Sequence, residues 1–143
     1  MELEGKVWKS KNQWLVELPA LDVMTQADSR EEALLIIKDA VMETVLSYFK
    51  NDVSKDFDIK VNDYKKGVIG ITTTDNSLML ALSLRRQREK SGLTIREAAE
   101  RLGSKSPNAY AQYEKGRIRI SLDKYESLLQ AANPSQHSRL RIV

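Results

Sequence analysis

The chain has 143 residues, 41% hydrophobic and 30% charged, with a formal net charge of +3, a composition that suits a folded protein and excludes a disordered one. It has no cysteine and one histidine, His137, so disulfides and thiolate metal sites are excluded, and zinc, Cys/His and Ser/His chemistry lack their residues. No run reaches the roughly 18 apolar residues of a membrane span, and Met1 opens an acidic segment without the basic start and apolar core of a signal peptide, so the cytosol is the expected compartment.

The charge is unevenly spread. Through Ser77 there are 10 Lys and Arg against 14 Asp and Glu, net −4; beyond it there are 13 against 6, net +7. A compact basic segment is the electrostatic footprint of nucleic-acid binding. The expected organisation is α+β: a small sheet-plus-helix domain over 1–77 and an all-α domain with a C-terminal tail over 78–143.

The stretch LEGKVWKSKNQWLVELP holds two alternating runs, Leu3 to Trp8 and Trp14 to Leu18, separated by a polar KSKN. This predicts a hairpin in which Leu3 and Val7 share one face, as do Trp14, Val16 and Leu18. Pro19 ends the second strand because it has no amide proton for a ladder. A third strand is expected in VMTQA. The helix after it begins at Ser29, with Glu32 at capping-box spacing. Ala33, Ile37, Ala40, Val41, Thr44, Val45 and Tyr48 recur at helical steps, and Asn51 and Asp52 stop it. Two more strands follow, DFDIKV and GVIGITT, joined by the turn NDYKKG. The sum is an open sheet with a helix on one face and the other face free for a partner.

The acidic residues Asp22, Asp28, Asp56, Asp58 and Asp63 fall in turns or at solvent-facing strand positions, which predicts solvated carboxylates and no metal-carboxylate enzyme. Trp8 and Trp14, on paired strands, are expected to meet across the hairpin.

In the second half, LMLALSLRRQREKSG forms a first helix ended by Gly92. LTIREAAERLG forms a second, with Thr94 and Glu97 as a capping box and Gly103 as its close. The stretch SKSPNAYAQYEKGR forms a third, with Ser106 as N-cap, Pro107 at the first helical position, Tyr110 and Tyr113 turned inward, and Gly116 after its end. A fourth starts at Ser121 and shows Leu122, Tyr125, Leu128 and Leu129 on one face. Short helices separated by glycine turns form the pattern of a helix-turn-helix, whose second helix enters the major groove. Asn108 and Gln112 each offer a donor and an acceptor to adenine, and Ala109 lies beside them. Lys105 and Ser106 suit phosphate, as do Arg96, Arg117 and Arg119, so these eight residues form the candidate DNA-binding set. The plain alternative is a capped amphipathic helix in a small bundle.

Leu84 to Asn133 resembles the Xre/Cro-type helix-turn-helix family: Leu84, Arg85 and Arg88 match its first helix, GLTIREAAERLG its second, and YEKG with ISLDKYESLL the exit of its third and its fourth. Ile95 stands where that family usually has a phosphate-contacting glutamine, and one extra residue separates Gly103 from Glu114. That spacing, with REAAERLGSKSPNAYAQYEKGR, resembles the C-terminal domain of HicB-type antitoxins. WLVELPALDVMTQADSREEAL resembles their N-terminal signature at Trp14, Pro19, Thr25, Gln26, Asp28, Glu32 and Ala33, with Asp22-Val23-Met24 in place of a glycine-containing turn.

The resemblance implies a partial RNase H-like N-terminal domain without catalytic carboxylates, which binds and neutralises a HicA-type mRNA endoribonuclease. It also implies a C-terminal domain that represses its own operon at a palindromic operator, as a homodimer or higher oligomer, with no cofactor. Asp22, Gln26 and Asp28 are the candidates for toxin contact. The alternative is a stand-alone Xre-family regulator whose N-terminal domain dimerises or senses a small molecule.

Overall fold

A computed structural model describes residues 1–137 and Arg139. The chain divides into two units, Met1–Asn76 and Ser77–Val143, and its architecture is α+β. The expected C-terminal tail lies partly outside the described residues.

The first unit contains β1 (Leu3–Ser10), β2 (Gln13–Leu18), β3 (Val23–Ala27), α1 (Arg30–Phe49), β4 (Ile59–Asp63) and β5 (Val68–Thr73). The five strands form one sheet in the order β3-β2-β1-β5-β4, with every neighbouring pair antiparallel. Because side chains alternate between faces, Val7, Val16, Leu18, Ile59, Ile69 and Ile71 all point to the buried side. Helix α1 packs against β2, β3 and β4, burying Ala33, Ile37, Val41, Val45 and Phe49. Gly5 is required at the centre: a Cβ there would lie 2.5 Å from Leu18 Cδ2 and 2.7 Å from the Glu17 carbonyl.

Several local expectations change. The hairpin pairs on to Ser10 opposite Gln13, which leaves only Lys11 and Asn12 in the turn, with Lys11 at φ +55°. The polar spacer is therefore mostly strand, since ladder bonds need backbone and not apolar side chains. Trp8 lies opposite Leu15 and Trp14 opposite Lys9, so the two tryptophans project to opposite faces and do not meet. At the start of α1 the Ser29 hydroxyl accepts the Glu32 amide at 3.1 Å, but the Glu32 carboxylate accepts from the amide of Asp28, not Ser29, at 3.3 Å. The box is thus displaced by one residue. Strand β4 begins only at Ile59, and Asp63 shares the inward parity of Ile59 and Val61. It is exposed, as expected, and it is also paired: both Arg30 terminal nitrogens donate to its carboxylate. That bond holds the Asp63 pKa below the usual carboxylate value.

The second unit carries α2 (Asn76–Lys90, beginning on the last residue of the first unit), α3 (Ile95–Arg101), α4 (Pro107–Tyr113) and α5 (Leu122–Ala132). Its core gathers Leu84, Ala98, Ala99, Tyr110, Leu128 and Leu129, with Leu102, Tyr113, Ile120 and Tyr125 packed around them. Polar ties are buried alongside. Asn133 Nδ2 donates to Gln87 Oε1 at 2.9 Å, joining the end of α5 to α2, and the Ser83 and Tyr125 hydroxyls are 2.9 Å apart. No described helix is long and apolar enough to cross a membrane.

Candidate nucleic-acid interface

Helices α3 and α4 are each only two turns long, too short to persist alone in water, so caps and packing must hold them. At α3 the expected capping box is complete: Glu97 N donates to Thr94 Oγ1 at 3.2 Å and Thr94 N to Glu97 Oε2 at 2.7 Å. The Thr94 amide first, and then the Thr94 hydroxyl, which donates to the same oxygen at 2.8 Å, pull the Glu97 carboxyl below its ordinary pKa. Ala98 and Ala99 are buried, and their small side chains let α3 approach the core closely. Leu102 ends the helix, and Gly103 takes the left-handed conformation at φ +77° that turns the chain toward α4.

The turn into α4 is built differently from its expectation. Ser106 has N-cap backbone geometry and Pro107 follows in the first turn, yet the Ser106 side chain makes no cap hydrogen bond. Instead Ser104 Oγ donates to the Ser106 carbonyl at 3.0 Å, so Ser104 fixes the turn. A serine two residues before the N-cap position carries no standard cap signal, which is why the sequence pattern points to Ser106.

Helix α4 is anchored from inside. Tyr110 is fully buried, Tyr113 half-buried with the Lys124 ammonium 5.2 Å above its ring. The Tyr110 hydroxyl is near enough to the Glu114 carboxylate to feel its charge, but not in hydrogen-bonding geometry. Burial first, and that charge second, hold its pKa far above that of an ordinary phenol. Past the helix end, Glu114 is 5% exposed and Arg88 8%, and they form a two-bond ion pair between α4 and α2. Sequence reading placed Arg88 in a basic run and missed this role; the signal was its position four residues after Leu84, on the apolar side of α2. Gly116, at φ +72°, then passes Leu78 so closely that a Cβ would lie 2.8 Å from Leu78 Cδ1.

With one side fixed, the other side of α4 is presented outward. Asn108, Ala109 and Gln112 are all exposed, and their offsets of one and four residues place them on one helical edge. Lys105 precedes that edge and is exposed; Ser106 is half-buried. Arg117 and Arg119 are exposed in the segment after Gly116, and Arg96 is exposed in the first turn of α3. Ile95 is 36% exposed at the first position of α3, where its side chain has no group to hydrogen-bond a phosphate. The arrangement offers amide donors and acceptors along one short edge between cationic side chains, the division between base and phosphate contacts that a groove reader needs.

The three toxin candidates do not form a comparable constellation. Asp22 adopts a left-handed conformation at φ +51° before β3, while Asp28 follows β3 and accepts from Gln13 Nε2 at 2.6 Å. Gln26 lies opposite Leu15 on the sheet face away from α1. Among the described residues no group of three or more His, Asp or Glu side chains is placed to hold a metal ion.

Residues 80–141 match the family model of a helix-turn-helix domain. No curated protein matches the chain. The geometry and the family match agree: the second unit carries a helix-turn-helix domain of the DNA-binding kind, with α3 and α4 as its two motif helices.

Proposed function

We propose that this protein is the antitoxin of a type II, HicAB-like toxin-antitoxin pair. Its second unit binds the operator of its own operon and represses it; its first unit binds a small HicA-type mRNA endoribonuclease and blocks it. The protein works as a homodimer or higher oligomer on a palindromic site, in the cytoplasm, as a binding protein without catalysis or cofactor.

The observation that carries the DNA half is the exposed Asn108, Ala109 and Gln112 edge of α4 inside a matched helix-turn-helix domain. The toxin half is supported by the sequence resemblance across the first unit and by its −4 charge, which suits a basic, RNA-handling partner. A partial RNase H-like reading of the first unit belongs to the same proposal.

The test is genetic and biochemical together. The short basic protein encoded beside this gene is expressed alone and with the full chain, and mRNA cleavage is followed by primer extension. Cleavage by the partner alone, abolished by the full chain, supports the proposal. The absence of such a neighbouring frame, or cleavage unaffected by the chain, favours a stand-alone Xre-family regulator.

A further inference from the structure

Helix α1 presents an outer face that its own sheet does not use. Leu35 is 66% exposed and Leu46 43%, and with half-buried Met42 they recur at seven- and four-residue steps. They form an apolar stripe roughly 16 Å long at 1.5 Å per residue. Exposed leucines singly are ordinary, but these share one helix face.

The charges around the stripe are mostly acidic. Glu31, Glu32, Asp39 and Glu43 flank it or lie along it. Two lysines lie within reach on that helix: Lys38, 3.5 Å from Asp58, and the exposed Lys50, four residues after Leu46 at the helix end. Asp39 and Glu43 make no ion pair among the described residues. Next to Leu35 the surface dips into an open groove of about 350 Å³ between α1 and β4, lined by Leu34, Ile59 and Val61, with Glu31 and Asp58 balanced by Lys38 and Lys60.

The sign of these charges selects the occupant. An anionic membrane or a nucleic acid is repelled by four carboxylates. A second copy using the same face would set acid against acid across the leucines, which costs stability. A protein with apolar side chains at the centre of its contact surface and lysines or arginines around them meets both features.

We propose that the outer face of α1, centred on Leu35 and Leu46, is the docking surface for a cationic protein partner. Resting on the function proposed above, it locates toxin binding on α1 and not on Asp22, Gln26 and Asp28.

The experiment uses the full chain and the short basic protein encoded beside its gene, with affinity measured by titration calorimetry at several salt concentrations. L35E/L46E is expected to weaken binding at least tenfold. D39K/E43K, which leaves the leucines in place, is expected to weaken it and to flatten its salt dependence. Thermal unfolding and operator binding of each variant serve as controls for folding. Wild-type affinity in both variants, with D22K/Q26K/D28K losing binding instead, overturns the α1 assignment and leaves the antitoxin reading standing. No binding by the wild-type chain overturns both.

Discussion

Arg88 and Glu114 are joined inside the second unit by two parallel hydrogen bonds, Nε to Oε1 at 2.7 Å and Nη2 to Oε2 at 2.9 Å. The remaining guanidinium nitrogen, Nη1, donates to the Leu93 carbonyl at 2.8 Å. One side chain thus holds the end of α4, the body of α2 and the turn into α3 in a single arrangement. The bond to Glu114 raises the pKa of the Arg88 guanidinium above its ordinary value. Because both partners are buried, breaking the pair is far more costly than replacing it.

Glu114→Ala is therefore expected to destabilise the protein by about 3 to 5 kcal/mol, since it leaves an uncompensated buried cation. The double replacement R88M/E114L should recover most of that loss. Urea unfolding followed by circular dichroism checks both, and a double variant no more stable than E114A would refute the explanation by uncompensated charge.

Tyr110→Phe removes a buried hydroxyl that has no hydrogen-bond partner and keeps the ring that fills the core. The expected change is small and in the stabilising direction, about 0 to 1 kcal/mol. A loss above that range in thermal unfolding would mean that the hydroxyl does bond to Glu114 in solution.

On DNA, the two sides of the interface should separate. Asn108→Ala or Gln112→Ala is expected to cost about 1 to 3 kcal/mol on the operator and little on scrambled duplex. Lys105→Ala or Arg119→Ala should weaken both duplexes alike and reduce the slope of log K against log salt by about one unit. Fluorescence anisotropy at four salt concentrations distinguishes the two classes, and equal losses on both duplexes for N108A and Q112A would remove these residues from base reading.

The Arg30–Asp63 pair predicts a pH dependence of the first unit. The bond depresses the Asp63 pKa in the folded state, so folding favours the ionised form. That stabilisation is present above the unfolded-state carboxylate pKa, about 3.9, and is lost as pH falls through the lower folded value. With 38% of the Asp63 side chain exposed, screening limits it to about 1 kcal/mol or less. Asp63→Asn should therefore lower stability slightly at neutral pH, with the difference from wild type closing in acid; a difference that grows as pH falls would contradict this sign.

Much of this organisation is legible in the sequence because it is local. The apolar steps along α1 and along α5 from Tyr125 on, the Thr94 to Glu97 capping box, the glycine after α3 and the proline opening α4 each act within one or two helical turns; Leu122, expected on the apolar face of α5, is instead 67% exposed in its first turn. Parity in β1 and β2 correctly separated buried Val7, Val16 and Leu18 from their neighbours. What sequence reading missed depends on contacts between distant segments. The pairing of β1 with β5, and so the strand order, comes from register across more than 60 residues. Arg88 reads as one arginine of a basic run until Glu114, 26 residues later, is brought beside it. Asp63 is exposed as the sequence implies, but its pairing with Arg30, 33 residues earlier, is not visible there. The exposed edge of α4 was legible because Tyr110 fixes which side of that short helix faces inward.

The most direct measurement of the central claim is a titration of the full chain onto a labelled duplex from just upstream of its own gene, beside a scrambled duplex. About 150 mM salt is the condition of choice, because screening there suppresses much of the nonspecific attraction. The helix-turn-helix reading predicts a strong preference for the upstream duplex, at least a hundredfold, that falls sharply in N108A/Q112A. Equal affinity for the two duplexes, with the protein folded, would contradict it and leave the basic unit as a nonspecific surface.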